Sequence, residues 1–148
     1  MMEEKKFDWL DCSLFLMIAN SESTDYYLTE EEITAILERA GELAKTFAAE
    51  SGVFFTQEDV SQKFNMVFDY YNTIGEEAPD GKMDAYIMNE VYKIASYLKQ
   101  QESYNEKFAK HLLADLIIIA NADDEFVKEE KNIIKTIAEI LEIENPLA

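Results

Sequence analysis

The sequence predicts an all-α protein, a compact bundle of about six helices that contains an internal pseudo-twofold duplication of one helix-loop-helix unit. Three observations lead to this. Apolar residues recur at helical spacing in six successive segments, and no alternating strand pattern of convincing length competes with them. Only four glycines and two prolines punctuate 148 residues, which leaves room for long helices and little for a β-rich chain. One pattern also occurs twice: Ile-Ala-Asn, then Asp, an apolar residue three positions on and Glu seven positions on.

The first helix is expected from about Phe7 to Asn20, with Leu10, Leu14, Met17 and Ile18 on a buried stripe. The second opens at Thr29-Glu30-Glu31-Glu32, a capping box in which Thr29 accepts from a first-turn N–H and Glu32 reaches back. It runs to about Ala49 with Ile33, Ile36, Leu37, Ala40 and Leu43 inward, and Ser51-Gly52 ends it. A second capping signature, Thr56 to Asp59, starts the third helix, whose Val60, Phe64, Val67, Phe68 and Tyr71 form a core face. Gly75 to Lys82 reads as a loop closed by the turn tripeptide Pro79-Asp80-Gly81. The fourth helix then extends to about Gln101, burying Met83, Ile87, Val91, Ile94 and Leu98. Ser103-Tyr104-Asn105-Glu106 reads as a capping box for the fifth, which carries Phe108, Leu112, Leu116 and Ile119 inward. The sixth, from about Lys128 to Ile143, buries Ile133, Ile134, Ile137 and Leu141. We therefore expect one domain over residues 1–148, with repeat copies at about 7–49 and 104–144.

Charge narrows the function classes. With 31 acidic and 13 basic residues the net charge is −18, which argues against binding a nucleic-acid backbone and against an anionic membrane surface. The longest apolar run, Leu116 to Ala120, is too short to cross a bilayer, and the charged start Met1 to Trp9 lacks the apolar centre of a signal peptide. Cys12 is the single cysteine, so an intrachain disulfide and a multi-thiolate zinc site are both ruled out. A cytoplasmic protein with no nucleic-acid partner and no direct membrane insertion is expected. Its oligomeric state is left open.

The repeated motif carries the chemistry. Ile18-Ala19-Asn20 precedes Asp25 and Glu32, and Ile119-Ala120-Asn121 precedes Asp123 and Glu130. Downstream, Ile36, Ala40 and Leu43 answer Ile134, Ala138 and Leu141. A loop Asp and a first-turn Glu at this spacing can converge on one hard cation, as they do in an EF-hand. Aligned as an EF-hand, however, the second copy puts Ile119 and the first puts Ser21 where the leading carboxylate belongs, which argues against that motif. Oxygen ligands suit calcium or magnesium, and the candidates are Asn121, Asp123, Glu125 and Glu130, with Asp25 and Glu32 in the first copy. The alternative is that Asp braces loop amides while Glu caps its helix and meets the helix dipole. Thr29 favours that alternative for Glu32. Val127 stands at the matching position before Glu130 and cannot cap through its side chain.

An apolar helix ending in Ile-Ala-Asn, then Asp-x-x-apolar-x-x-x-Glu and a further apolar helix, clearest across Leu112 to Ile143, resembles the tellurite-resistance TerB-like superfamily. That superfamily includes the N-terminal domain of a membrane-anchored DnaJ-type co-chaperone. Asp124 and Tyr26 stand where the family commonly has Gly after the loop Asp. The resemblance implies an all-helical fold without enzymatic activity, acidic positions that take a divalent metal, and a role in stress response or protein assembly with a protein partner. Tellurite resistance itself is not carried over, because TerB-like domains occur in many settings.

The remaining candidates read as structural. His111, the single histidine, lies four residues before Asp115 and has no nucleophile motif beside it, so a local helix pair is expected. A metal-dependent hydrolase built on clustered carboxylates is the enzymatic alternative, and the sequence offers it no evident base or nucleophile. A helical adaptor whose acidic motifs are purely structural is a third reading. Tyr70, Tyr71, Tyr86, Tyr92, Tyr97 and Tyr104 crowd the middle helices, as half-buried packing or as an aromatic surface for a partner. Cys12 is expected in the core.

Overall fold

Two aspartates start the first helix. Asp8 and Asp11 cap each other's backbone, Asp8 N–H donating to Asp11 Oδ2 at 3.0 Å and Asp11 N–H to Asp8 Oδ1 at 2.8 Å. In the computed structural model, which describes residues 7–22, 29–48, 52–101, 104–121 and 128–144, this cap opens α1, Trp9–Glu22. Five helices follow: α2 Glu30–Thr46, α3 Gln57–Glu77, α4 Met83–Lys99, α5 Glu106–Ala120 and α6 Lys128–Ile140. The described residues contain no strand. The fold is an all-α bundle.

Helix α1 is its axis. The expected stripe of Leu10, Leu14, Met17 and Ile18 is buried, but so is every other residue from Trp9 to Ser21, including Cys12, Phe15 and Leu16. A helix that is apolar on all sides is stable only when surrounded. Here α2, α3, α4, α5 and α6 all pack against it. Among its polar members, Ser13 Oγ donates to its own helix at Trp9 O (2.7 Å) and Asn20 Nδ2 reaches across to Leu116 O of α5 (3.4 Å), while buried Ser21 Oγ has no hydrogen-bond partner among the described residues.

The other helices pack by one face. Thr29 and Thr56 are N-caps, each completing the reciprocal box expected, with Glu32 and Asp59 respectively. The inward faces also follow the periodicity: Ile36, Ala40 and Leu43 on α2, Val60, Phe64 and Val67 on α3, Val91, Ile94 and Leu98 on α4, Leu112, Leu116 and Ile119 on α5, Ile134 and Ile137 on α6. Edge-to-face aromatic contacts tie the start of α1 to α5, with Trp9 5.5 Å from Phe108, which in turn lies 5.1 Å from Phe47.

Two boundaries differ from expectation. Helix α3 continues through Gly75 to Glu77, so the loop is shorter than the glycine implied; Gly75 lies against Met83 at the start of α4, and a Cβ there would stand 3.5 Å from its terminal methyl. Asn105 rather than Ser103 caps α5, its side chain accepting from Phe108 N–H at 2.8 Å. Both Ser103 and Asn105 suit a cap locally, and only the register of the buried Phe108 decides between them. Ser103 lies outside the described residues. At the far end of α6, Glu142 adopts a left-handed conformation (φ 57°) while Ile143 N–H bonds Ala138 O at 3.1 Å, the hydrogen bond of a Schellman stop.

Candidate functional site

Of the acidic motifs, Glu32 and Asn121 are described with their side chains, each at a helix end. Glu32 is 3% exposed and sits in the third position of α2. Its Oε1 accepts from Thr29 N–H at 3.0 Å while its own N–H donates to Thr29 Oγ1 at 3.1 Å, so it is committed to capping. Asn121 closes α5 and is exposed. Its Nδ2 donates to Ile117 O at 2.9 Å, and among the described residues no hydrogen bond engages its Oδ1, the atom a hard cation takes. Asp25, Asp123 and Glu125 lie outside the described residues, and Glu130 is described only through its backbone in α6. Among the described residues no three His, Cys, Asp or Glu side chains gather as a metal cluster.

The structure assembles a polar centre of which the sequence announces only the local His111–Asp115 pair. Asp115, 2% exposed on α5, accepts from Arg39 Nε of α2 at 3.0 Å through Oδ1 and meets His111 Nδ1 at 3.2 Å through Oδ2. Arg39 is the only arginine of the chain and His111 its only histidine, and both converge on this carboxylate. Burial raises the Asp115 carboxyl above the ordinary carboxylate range, although the charges of His111 and Arg39 work in the opposite direction. The local His111–Asp115 pair is thus present, with a partner 76 residues away that no local spacing could announce. His111 also packs edge-on to Phe47 at 5.7 Å.

A second buried carboxylate centre pins the start of α1. Lys63 of α3 donates to Asp8 Oδ2 at 2.8 Å and Asp11 Oδ1 at 3.2 Å, and its ammonium lies over the Phe55 ring, 5.2 Å from the centroid. One cation bridges two carboxylates, so a negative charge is left over. Burial and then the charge of Asp8 push Asp11 up to about 6 against the pull of Lys63. Neighbouring Cys12, fully buried, has its thiol raised well above its usual range, first by burial and then by Asp11 and Asp8, so it is an inert core residue. On α4, Glu90 is 6% exposed and accepts from Tyr70 OH at 2.9 Å, with Lys93 at 3.4 Å.

The tyrosines divide accordingly. Tyr70 and Tyr71 are buried, Tyr97 and Tyr104 are half-buried, and Tyr86 and Tyr92 on α4 are exposed. Tyr104 OH donates to Leu141 O at 3.0 Å, joining the start of α5 to the end of α6.

The geometry defines a class first: an all-helical domain whose buried carboxylates, among the described residues, serve as caps and interhelical clamps. The sequence model of the tellurite resistance protein TerB family matches residues 18–146, and the chain belongs to that family. No curated protein and no solved structure matches it. Among the described residues no helix is long and apolar enough to cross a membrane.

Proposed function

We propose that this protein is a non-enzymatic TerB-type interaction domain, active in stress response or protein assembly, whose second acidic motif takes a divalent cation. The observation that carries the cation reading is the difference between the two helix ends. Glu32 is tied into the α2 cap, whereas Asn121 presents an uncommitted Oδ1 on an exposed helix end. Asp123, Glu125 and Glu130 follow within the next nine residues of the sequence. These are hard oxygen donors, suited to calcium or magnesium. The non-enzymatic reading draws on the family, and on Cys12, whose buried, un-ionised thiol offers no nucleophile. In the first motif Glu32 is assigned to helix capping.

The test is thermal unfolding of chelator-treated protein titrated with calcium, magnesium, manganese and zinc at fixed ionic strength. A ligand that binds only the folded state at 100 times its Kd stabilises by about 2.7 kcal/mol. For a chain of this size each kcal/mol moves Tm by roughly 2–4 °C. A saturable rise that Asp123→Asn/Glu130→Gln abolishes and Glu32→Gln leaves in place is the expected result. Absence of any rise beyond the ionic-strength control would reduce both motifs to caps.

A further inference from the structure

Asp80-Gly81 is the only Asp-Gly step of the chain, and it stands where the structure leaves both of its reactive groups unheld. It forms the centre of the turn from Pro79 to Lys82 that joins α3 to α4, closed by one hydrogen bond from Lys82 N–H to Pro79 O at 2.9 Å. Pro79, Asp80 and Gly81 are all exposed. Gly81 has a φ of 77°, and apart from its chain neighbours no atom lies within 4 Å of the place a Cβ would take there, so the turn stands open on that side. Among the described residues no hydrogen bond takes the Gly81 N–H, and no hydrogen bond or ion pair holds the Asp80 side chain. The other aspartates described with their side chains lack this freedom. Asp8 and Asp11 cap each other and share Lys63. Asp59 accepts from Thr56 N–H, and the amide after it, Val60 N–H, is bonded to Thr56 O at 3.0 Å. Asp69 lies inside α3, and Asp115 is buried in α5 against Arg39 and His111.

We propose that Asp80 is a site of spontaneous covalent modification, at which the main chain isomerises to a β-linked aspartate (isoaspartate) through a cyclic imide. The reaction needs no partner other than water. The Gly81 amide nitrogen forms a bond to Cγ of Asp80, and one carboxyl oxygen leaves as water, taking the amide proton and the proton of the carboxylic acid. Water then opens the five-membered ring. Cleavage of the new bond between nitrogen and Cγ restores aspartate. Cleavage of the original bond between the Asp80 main-chain carbonyl carbon and that nitrogen leaves the chain running through Cβ and Cγ. One water is lost and one regained, so the product is an isomer of the starting chain. Two features select this position. Glycine places no side chain beside the attacking nitrogen. Reaching Cγ also requires rotation about the bond from Cα to the carbonyl carbon of Asp80, which a turn held by one hydrogen bond permits and a helix interior does not. The product keeps the charge, lengthens the backbone by one atom and sets a free α-carboxylate directly ahead of α4, whose N-cap Lys82 makes no side-chain hydrogen bond.

The test keeps full-length folded protein at 37 °C and neutral pH over several weeks, with a portion unfolded in guanidinium as reference. Mass spectrometry of the digested chain, with fragmentation that breaks the Cα–Cβ bond found in the backbone only of an isoaspartyl residue, gives the conversion at each aspartate. In the folded protein, conversion at Asp80 should exceed that at Asp69 by about tenfold or more, because the helix locks the amide that follows Asp69. A protease that cuts before aspartate should lose its cut at position 80 to the same extent. Asp80→Glu should lower the total isoaspartate content and leave the melting temperature unchanged, since the corresponding ring has six members and closes far more slowly, and the position is exposed. Conversion at Asp80 no greater than at Asp69 would overturn the proposal. So would conversion confined to the unfolded chain, or a total isoaspartate content in Asp80→Glu equal to that of wild type.

Discussion

Helices α1 and α5 both end in Ile-Ala-Asn and both lead into an acidic motif, yet they occupy different places. Helix α1 is enclosed by the five other helices and buries every residue from Trp9 to Ser21. Helix α5 packs chiefly on α1, α2 and α6 and leaves an outer face, where Ile118 is 48% exposed. Their asparagines follow suit. Asn20 is fully buried and bonds a neighbouring helix, whereas Asn121 is exposed and bonds its own. Sequence likeness therefore does not carry equal roles. The enclosed copy holds the bundle together, and the peripheral copy leaves its asparagine exposed.

The most forceful way to break this comparison is to truncate each helix. Phe15→Ala in α1 empties a fully buried site in contact with Tyr70 and Tyr71, at ring centroid distances of 6.0 and 5.8 Å, and should cost about 3–5 kcal/mol. Ile118→Ala on the outer face of α5 should stay within about 0.5 kcal/mol of wild type. Urea unfolding monitored by helical circular dichroism measures both. Similar losses in the two variants would mean that α5 is as enclosed as α1.

Each helix also carries one buried carboxylate held by a cation from a neighbour, Asp11 by Lys63 and Asp115 by Arg39. Both are raised in the fold, chiefly by burial. For Asp11 the sign is definite. Its folded value of about 6 exceeds the ordinary aspartate value of 3.8, so the folded state holds the proton more tightly. The stability it contributes is complete below the unfolded value and is lost as pH rises through about 6. Asp11→Asn, which cannot ionise, should gain on wild type between pH 4 and pH 7 by on the order of 1–3 kcal/mol. Melting temperatures across that range test it, and parallel curves for the two proteins would show that Lys63 alone governs Asp11.

Local features were legible in the sequence. The Thr29–Glu32 and Thr56–Asp59 boxes and the core faces of α2 to α6 follow from spacing, because caps and amphipathic stripes are satisfied within a few residues. The central position of α1 was written in its composition, since Leu14-Phe15-Leu16-Met17-Ile18 leaves no polar face, but a stripe was sought where none was needed. What could not be read is pairing at distance. Arg39 and Asp115 stand 76 residues apart, and Lys63 lies 55 from Asp8, so neither clamp has a local signature. Of the candidate cation ligands, Glu32 and Asn121 are placed at their helix ends, while the loop residues Asp25, Asp123 and Glu125 lie outside the described structure.

The finest test replaces only the repeated asparagine. Asn20→Ala removes the bond to Leu116 O inside the bundle and leaves a small void, which should cost roughly 1–2 kcal/mol. Asn121→Ala removes a bond that water can replace at an exposed helix end, and should cost less than about 0.5 kcal/mol in cation-free buffer. Added calcium or magnesium should then separate the pair in the opposite sense. Asn20→Ala keeps the ligands of the second motif and so keeps the cation-dependent rise in Tm, whereas Asn121→Ala loses an oxygen donor and part of that rise. A variant pair that responds equally to cation would place Asn121 outside the coordination sphere, even if the difference in folding stability held. Together the two readouts separate the structural role of Asn20 in the enclosed helix from the cation-binding role proposed for Asn121.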